Sequence, residues 1–574
     1  MKVSLDPRAL TVLEARYLLR SPSTNKILET PHELFLRVAG AVAGAEKKWS
    51  GKAKEKQWSK AFFQALSQLE FLPNSPTLMN AGTKLGQLSA CFVVPVEDNL
   101  SDIFDSLKLM AVIQQSGGGT GFSFSRLRKK GDPVSMASGV ASGPVSFMRI
   151  FDVATENIRQ GGKRRGANMG ILRVDHPDIE EFIRSKIEPN QFVNFNLSVA
   201  ITDSFMKAVE KETDFSLVDP WNQKKVKKLK ATDLLWLISE CAWSSGDPGL
   251  VFLDAINRSQ PTPKLGLIEA TNPCGEVPLL PFEACNLGSI NLTKVLRAKD
   301  QSVEIDWDKL KGLVFLGIRF LDNVIEVGKW PSPEVAEKVL GNRKVGLGVM
   351  GFAEMLILLG IPYDSNEAVN LAEKIMSFIS KGAWEASKEL ANERGVFPNW
   401  SQSIFKEKKL KVRNATVTSI APTGTISMIA GTSSGIEPLY GLAYTQKNIL
   451  DGKSFKVLNP VFEKLCNENS WLTEKEIEEV KRKGIWGGNP ILRTALEIAP
   501  RAHLAVQEAF QKHTDNAVSK TINLPQSATV KDIFGIYMEA WRRKLKGVTV
   551  FRDGCRTQQV FEVGQACQTP DCRL

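Results

Sequence analysis

Apolar residues recur at helical spacing through ALTVLEARYLL and PHELFLRVAGAVAGAEKKW, which predicts a mainly helical region over residues 1 to about 85. Thr30-Pro31-His32-Glu33 carries a helix-start signature, a hydroxyl cap followed by proline at the first helical position. From about residue 86 to 550 the pattern changes: the β-rich runs SACFVVPV, GFSFSRL, NFNLSVAI and NATVTSIAP alternate with amphipathic helices such as EAVNLAEKIMSFISKGAWEASKELANE. That alternation predicts an α/β body with a parallel component in its sheet. Glycine-rich segments punctuate it at SGGGTGFSFS, QGGKRRGANMG and APTGTISMIAGTSSG, and no internal repeat is evident. Beyond RDGC (552–555) the chain is polar and weakly patterned, which predicts a flexible tail over 551–574 carrying Cys567 and Cys572.

Composition narrows the class without naming a function. The 574 residues are 43% hydrophobic and 24% charged, ordinary for a globular protein and enough for several domains or one large one. The nearest approach to a membrane-length apolar run, Val345 to Gly360, is broken by Glu354, so no membrane association is expected. Asp6 and Arg8 stand where a secretory signal would place its apolar core, which points to the cytoplasm. The net charge of +11 suits anionic ligands. The run Lys224, Lys225, Lys227, Lys228 and Lys230 reads as a solvated loop or helix face rather than a stable nucleic-acid surface. Eight cysteines without a CxxC pair, and four scattered histidines, fit neither a secreted disulfide scaffold nor a structural metal site.

The segment Thr271-Asn272-Pro273-Cys274-Gly275-Glu276-Val277-Pro278 concentrates chemistry. Pro273 turns Asn272 away from helix, and in an extended chain Asn272, Cys274 and Glu276 would project from one side. An amide, a thiol and a carboxylate on one edge can orient a substrate, carry a hydrogen atom and act as general base. A Pro/Gly-rich turn with an incidental cysteine is the other reading, and these residues alone leave both open. Pro422-Thr423-Gly424-Thr425-Ile426-Ser427 offers amides and hydroxyls without bulk, as phosphate cradles do, though it lacks the Gly-Lys-Ser/Thr ending of a Walker A loop. Gly161-Gly162-Lys163-Arg164-Arg165-Gly166 reads either as an anion-meeting loop or as a solvated basic turn. Ser116-Gly117-Gly118-Gly119-Thr120-Gly121 permits close approach of backbone to a ligand, or simply tight packing.

Taken together, nine segments in order resemble the catalytic chain of ribonucleotide reductases: SPTLMNAG (75–82), SACFVVPVEDNLSDIF (89–104), QSGGGTGFSFSRLR (115–128), RQGGKRRGANMGIL (159–172), NPCGEVPL (272–279), CNLGSINL (285–292), APTGTIS (421–427), GIEPLY (435–440) and TVFRDG (549–554). The resemblance spans nearly the whole chain. It implies a ten-stranded α/β barrel of the ribonucleotide reductase and glycyl-radical enzyme type over 86–550, with a finger loop at Cys274, a helical region before it and a redox-active tail after it. It implies that Cys274 is the thiyl-radical residue, that Asn272 and Glu276 hold ribose hydroxyls and move protons, and that Cys91 and Cys285 supply two electrons and end as a disulfide. Thr423, Gly424, Thr425 and Ile426 match the substrate-phosphate loop, and Ser75 matches a further substrate contact. Asp98 matches a residue of the allosteric specificity site, which binds deoxynucleotide or ATP effectors; Gly161, Gly162, Lys163, Arg164, Arg165, Gly166, Ala167 and Asn168 match the loop linking that site to the substrate. Cys567 and Cys572 match the tail pair that passes electrons from a thioredoxin- or glutaredoxin-type reductant.

Replacing an unactivated C–OH by C–H exceeds what acid and base side chains accomplish, so a radical cofactor must start the reaction. Class I relatives receive the radical through adjacent tyrosines near the RDG segment. Here the tyrosines are Tyr17, Tyr363, Tyr440, Tyr444 and Tyr537, none adjacent, and Phe551 precedes Arg552. The Asn-Pro-Cys-Gly-Glu wording resembles class II, which implies adenosylcobalamin. No Asp-x-His-x-x-Gly cobalamin motif occurs, and class II does not rely on one. The start of the sequence lies close to where the family's catalytic part starts, so specificity control without an ATP-cone is expected, with a homodimer possible. The competing readings are a class I-type catalytic subunit that needs a radical-generating partner and a catalytically inactive nucleotide sensor.

Overall fold

Ten strands join in one sheet in the computed structural model, which describes all residues except 1, 2, 4, 135–138, 161–163, 189, 301, 451, 452, 470–472, 557–560 and 564–574. They are β1 (Phe71–Pro73), β2 (Cys91–Val93), β3 (Gly119–Ser123), β4 (Asn168–Arg173), β5 (Phe195–Ile201), β6 (Gly249–Phe252), β7 (Ala284–Asn291), β8 (Val345–Met350), β9 (Thr521–Leu524) and β10 (Gly547–Arg552). The hydrogen-bonded order is β1-β7-β2-β3-β4-β5-β6-β10-β9, with β8 also on β7. Strands β2 to β6 are parallel to one another, as are β7 with β8 and β9 with β10. The two sets meet antiparallel at β7–β2 and β6–β10.

The segment 416–420 joins the remaining edges. Leu347 N–H donates to Val417 O and Ile420 N–H to Ala517 O, with parallel bridges Leu347–Thr418 and Ile420–Val518. The sheet thereby returns on itself, which leaves no long unpaired edge, and the expected ten-stranded α/β barrel is the fold. NATVTSIAP contributes bridge residues rather than a regular strand. The reason is local: the amides of Val417 and Thr418 donate to the Asp515 carboxylate at 3.0 and 3.1 Å.

Inward side chains of β2, β4, β5, β6 and β7 form one apolar cluster with Val277 and Leu279 inside the barrel, and a larger cluster lies between the sheet and its helices. The N-terminal helices are α1 (Pro7–Arg16), α2 (Pro31–Ala43) and α3 (Gly51–Ser67). Thr30 caps α2 with a full capping box to Glu33 and Pro31 at the first turn, and Leu34, Phe35, Val38, Ala39 and Val42 form its buried stripe. This region is not helical throughout, because β1 pairs with β7 through Phe71–Ile290 and Pro73–Gly288. A short helix α4 (Ser75–Asn80) follows β1, while α5 (Leu100–Gln115) and α6 (Pro144–Asn157) make the crossovers to β3 and β4. The helix α7 (Trp307–Val327) flanks β7 and β8, and α8 (Asn366–Arg394) packs on α7.

A buried ion network ties the N-terminal helices to the barrel. Arg394 donates to Glu46 at 2.7 Å and to Asp322 at 2.9 Å, and all three side chains are fully buried. The lysine run forms neither a loop nor a helix face. It is strand Lys225–Lys230 of an exposed hairpin, with Lys227 paired to Glu180 and Lys230 to Asp214. The tail departs from the expected boundary. Phe551 and Arg552 belong to β10, and Phe561–Val563 pair with Tyr444–Gln446. Cys567 and Cys572 lie outside the described residues.

Candidate active site

The Cys274 segment enters the barrel as a hairpin with arms Ala270–Thr271 and Pro278–Leu279. The extended reading is corrected here: the chain turns between the arms. Gly275 N–H donates to Asn272 O at 3.1 Å, Gly275 takes φ +80°, and Val277 N–H donates to Asn272 Oδ1 at 3.0 Å. Asn272 thus closes the loop with its own side chain, as Asx residues do in turns. All three still act on Cys91, from a turn rather than an extended edge. Asn272 and Glu276 are each 2% exposed, whereas Cys274 stands exposed at the tip.

The glycines of SGGGTG make room for this hairpin. A Cβ on Gly121 would lie 1.7 Å from Thr271 O, and one on Gly119 would lie 2.8 Å from Pro273 Cγ. Tight packing is therefore their role at these two positions. From the far wall, Asn196 on β5 donates to Pro273 O at 2.8 Å, while Ala517 N–H and Ser419 Oγ both donate to Glu276 O at 2.9 Å. The tip is held from three sides.

Behind the tip, Cys91 and Cys285 face each other across the antiparallel β2–β7 pair. Opposed residues on such strands have Cα atoms about 4.5–5.5 Å apart, within the span of a disulfide. Both are buried thiols here, and Asn272 Nδ2 donates to Cys91 Sγ at 3.1 Å. Burial pushes the Cys91 thiol well up, and Glu276, Cys285 and Cys274 add to the rise, so all three act on Cys91. Burial also pushes Glu276 up to about 7, with the Asn272 hydrogen bond pulling the other way. Its Oε2 is buried without a protein partner, so this carboxyl can take or give a proton near neutral pH.

Cys274 opens onto a cavity of about 540 Å³ whose wall includes Asn196, Gly424, Tyr440, Tyr444 and Lys520. Of the four phosphate-loop residues only Gly424 lines it, with open space where a Cβ would stand. Thr423, at φ +53°, accepts from Gly435 N–H at 2.7 Å, and Thr423, Thr425 and Ile426 are buried behind the wall. Ser75 begins α4 and shares a 2.7 Å hydrogen bond with the Tyr17 hydroxyl.

The expected regulatory residues sit on the barrel's flank. Asp98 pairs with Arg128 at 2.7 Å just ahead of α5. The backbone of Arg164 and Arg165 pairs with Gln160 and Arg159, while Gly161, Gly162 and Lys163 lie outside the described residues. Gly166 is buried and Ala167 exposed. Asn168 is a fully buried strut: its Oδ1 accepts from Gln114 and Thr120 at 2.8 and 2.6 Å, and its Nδ2 donates to Thr155 at 2.8 Å.

A profile described as "Ribonucleotide reductase, barrel domain" matches residues 89–413 and 406–551, and one described as "Ribonucleotide reductase, all-alpha domain" matches 3–86. The chain belongs to the ribonucleotide reductase family. A vitamin B12-dependent ribonucleoside-diphosphate reductase of Mycobacterium tuberculosis (strain H37Rv) is 48% identical to this reductase, over 98% of this chain and 79% of the relative. A protein of the same name from Thermoplasma acidophilum is 46% identical over 99% of this chain and 81% of its own length. A ribonucleoside-diphosphate reductase subunit alpha of Chlamydia pneumoniae is 29% identical over 92% and 57%.

Sequence reasoning missed Asn196, Ser419 and the buried pair Lys344–Glu283 beside Cys285. An asparagine inside the apolar run NFNLSVAI was a usable signal. The others become neighbours of the site only through the closed barrel.

Proposed function

We propose that this reductase uses adenosylcobalamin to reduce ribonucleoside diphosphates to 2′-deoxyribonucleotides through a thiyl radical on Cys274. One observation carries the reading: an exposed thiol at a hairpin tip faces a cavity and stands before a buried, opposed thiol pair and a carboxyl that titrates near neutrality. The names of the relatives at 46–48% identity supply both the diphosphate substrate and the B12 dependence.

The residues present fit such a cofactor. The cavity beside Cys274 is walled by glycines, hydroxyl side chains and the rings of Tyr440, Tyr444 and Phe551, with Arg8, Glu354 and Lys520 among its charged groups, and no two tyrosines adjoin in sequence to form a relay. Gly431, Ser433, Ser434, Tyr440 and Tyr444, which line it, would hold the group against the hairpin tip. When bound, it supplies a one-electron initiator by homolysis of its cobalt–carbon bond. Cys274 Sγ then exchanges a hydrogen atom with the ribose 3′ carbon. Glu276 Oε2 moves the proton that lets the 2′ hydroxyl leave as water, Asn272 orients the ribose, and Cys91 with Cys285 deliver two electrons and become a disulfide.

The remaining roles belong to the same proposal. Ser75, Thr423, Gly424, Thr425 and Ile426 hold substrate; Asp98 and the segment Gly161–Asn168 serve specificity effectors; Cys567 and Cys572 relay electrons from a thioredoxin-type reductant. The chain divides into helical, barrel and tail parts, and works in the cytoplasm. No described helix is long and apolar enough to cross a membrane. Leu100, Phe104 and Val112 on α5 and Ile150 and Val153 on α6 are exposed on two adjoining helices, an apolar face suited to a homodimer contact beside the Asp98 site.

Reduction of labelled CDP and CTP, each with effector and dithiothreitol, tests the reading with and without adenosylcobalamin. Product from CDP only with cobalamin is expected, and Cys274→Ala should yield none while still binding nucleotide. Turnover by that variant refutes the radical assignment. Turnover that needs a metal-containing partner protein instead of cobalamin establishes the class I-type reading.

A further inference from the structure

An ion pair inside the barrel has no part in the chemistry above. Lys344, the residue before β8, is 2% exposed, and its Nζ donates to Glu283 Oε2 at 2.6 Å. Glu283, 1% exposed, also accepts from Leu280 N–H at 2.7 Å and from Asn342 Nδ2. Asn286 is in register with Val345, so Lys344 stands beside Cys285 one step earlier, and the Cys285 thiol donates to Lys344 O at 3.6 Å. Two buried charges are costly to desolvate, and apolar residues of similar size would pack there as well. Their place next to a reactive thiol pair points to a use.

The two sulfurs meet different neighbours. Cys285 lies beside Lys344, with Glu283 just before its strand and Glu276 on the hairpin. Cys91 faces the hairpin, where Glu276 and Cys274 stand, and takes a hydrogen bond from Asn272. Cys91 is 4% exposed and Cys285 is fully buried. We infer that Lys344 gives the Cys91–Cys285 disulfide a direction: Cys91 is the sulfur that a dithiol reductant attacks, and Cys285 is the sulfur that leaves. This rests on the assignment of Cys91 and Cys285 as the reducing pair.

The exchange balances in two steps. A reductant thiolate attacks Cys91 Sγ, an S–S bond forms between them, the Cys91–Cys285 bond breaks, and the electron pair departs on Cys285 Sγ. The ammonium of Lys344 stabilises that thiolate until it takes a proton. The second thiol of the reductant then displaces Cys91 Sγ, so the reductant ends as a disulfide and both barrel cysteines as thiols. Burial pushes both cysteines up; at Cys285 Lys344 pulls back down against Glu283 and Glu276, whereas no cation acts on Cys91 and only the Asn272 hydrogen bond pulls it down. Lys344 is thus a positioning residue that acts through Cys285.

The test starts from the full-length enzyme with Cys567 and Cys572 changed to serine, so that the tail cannot re-reduce the barrel pair, loaded with cobalamin and oxidised by one turnover of CDP without reductant. Peptide mapping should find the Cys91–Cys285 disulfide; a disulfide elsewhere overturns the site assignment itself and the direction with it. With that bond present, brief exposure to glutathione followed by N-ethylmaleimide should leave glutathione on Cys91 and the maleimide on Cys285. Glutathione on Cys285 overturns the direction while leaving the site assignment intact. Lys344→Met should slow dithiothreitol reduction of this disulfide about tenfold and spread the adduct over both sulfurs, with Lys344→Arg restoring the rate to within about threefold. A Lys344→Met rate and adduct pattern equal to those of the enzyme that keeps Lys344 overturns the role of Lys344. The glutathione arm needs no change at Lys344, so failure of Lys344→Met to fold leaves the direction open to refutation.

Discussion

A single methyl group at position 121 tests how strictly the hairpin must be placed. In Gly121→Ala the new Cβ would sit 1.7 Å from Thr271 O, and carbon–oxygen contacts under 3.0 Å do not persist in folded chains. The hairpin and β3 must therefore part by about 1.3 Å. Two outcomes are open to the fold, and they differ in what they cost. If β3 yields, the strain is that of an overpacked core, about 1–3 kcal/mol of stability. If the hairpin yields, Cys274 shifts relative to the ribose, and a misplacement of about 1 Å is worth roughly a hundredfold in rate. Thr271 lies on a two-residue arm, whereas β3 is hydrogen-bonded to strands on both sides, so the hairpin yields first. The expected result is a loss of kcat of about a hundredfold or more, near 3 kcal/mol of barrier, with nucleotide affinity within about threefold. The assay is cobalamin-dependent CDP reduction with dithiothreitol, alongside calorimetry. Gly40→Ala on α2, where a Cβ meets nothing within 4 Å, is the control and should keep full activity. A folded Gly121→Ala enzyme with kcat within threefold of the unmodified one would refute the claim that these glycines set the position of Cys274.

Activity should rise with pH along a limb near 7, where Glu276 ionises, and Glu276→Gln should remove both limb and turnover. Stability runs the opposite way. The native carboxyl holds its proton more tightly than the unfolded one, so its contribution is full below the ordinary value of 4.5 and is lost as pH rises through about 7. Glu276→Gln should therefore gain about 2–4 kcal/mol on the unmodified enzyme between pH 5 and pH 8 in denaturant titrations, and an unchanged difference contradicts the buried-carboxyl account. Changing Cys567 and Cys572 to serine should stop thioredoxin-driven multiple turnover and spare dithiothreitol-driven turnover; normal thioredoxin-driven rates would rule out the relay. Burial raises Asp322, but Arg343, Arg413 and Arg394 outweigh it and hold its carboxyl at about 2. The network's support is thus full above the ordinary value of 3.8 and is lost as pH falls through about 2. Arg394→Met should cost about 3–5 kcal/mol at neutral pH and move acid unfolding to higher pH, and a loss below 1 kcal/mol contradicts the clamp.

The family and the barrel were legible because each lives in local pattern. Alternating apolar runs announced the strands, Thr30-Pro31-His32-Glu33 announced α2, and the order of nine segments announced the chemistry. The misreadings have different causes. Extended alternation from Asn272 to Glu276 failed because Asn272 turns its side chain onto Val277 N–H, although Gly275 after Pro273-Cys274 was a turn signal within the segment itself. Phe71–Pro73 read as part of a helical region because three residues carry too little periodicity to show a strand, and only pairing with β7 makes them one.

The sequence by itself determined which thiols, carboxyls and amides are available at the candidate site and which stretches form strands and helices, since propensity and spacing act over a few residues. Only the tertiary structure decided that Cys91 and Cys285, 194 positions apart in the numbering, stand opposite each other, that Glu276 is buried enough to titrate near 7, and that Lys344 lies beside one sulfur and not the other. Those properties arise from register and burial, which exist only once the barrel has closed and excluded water from its interior.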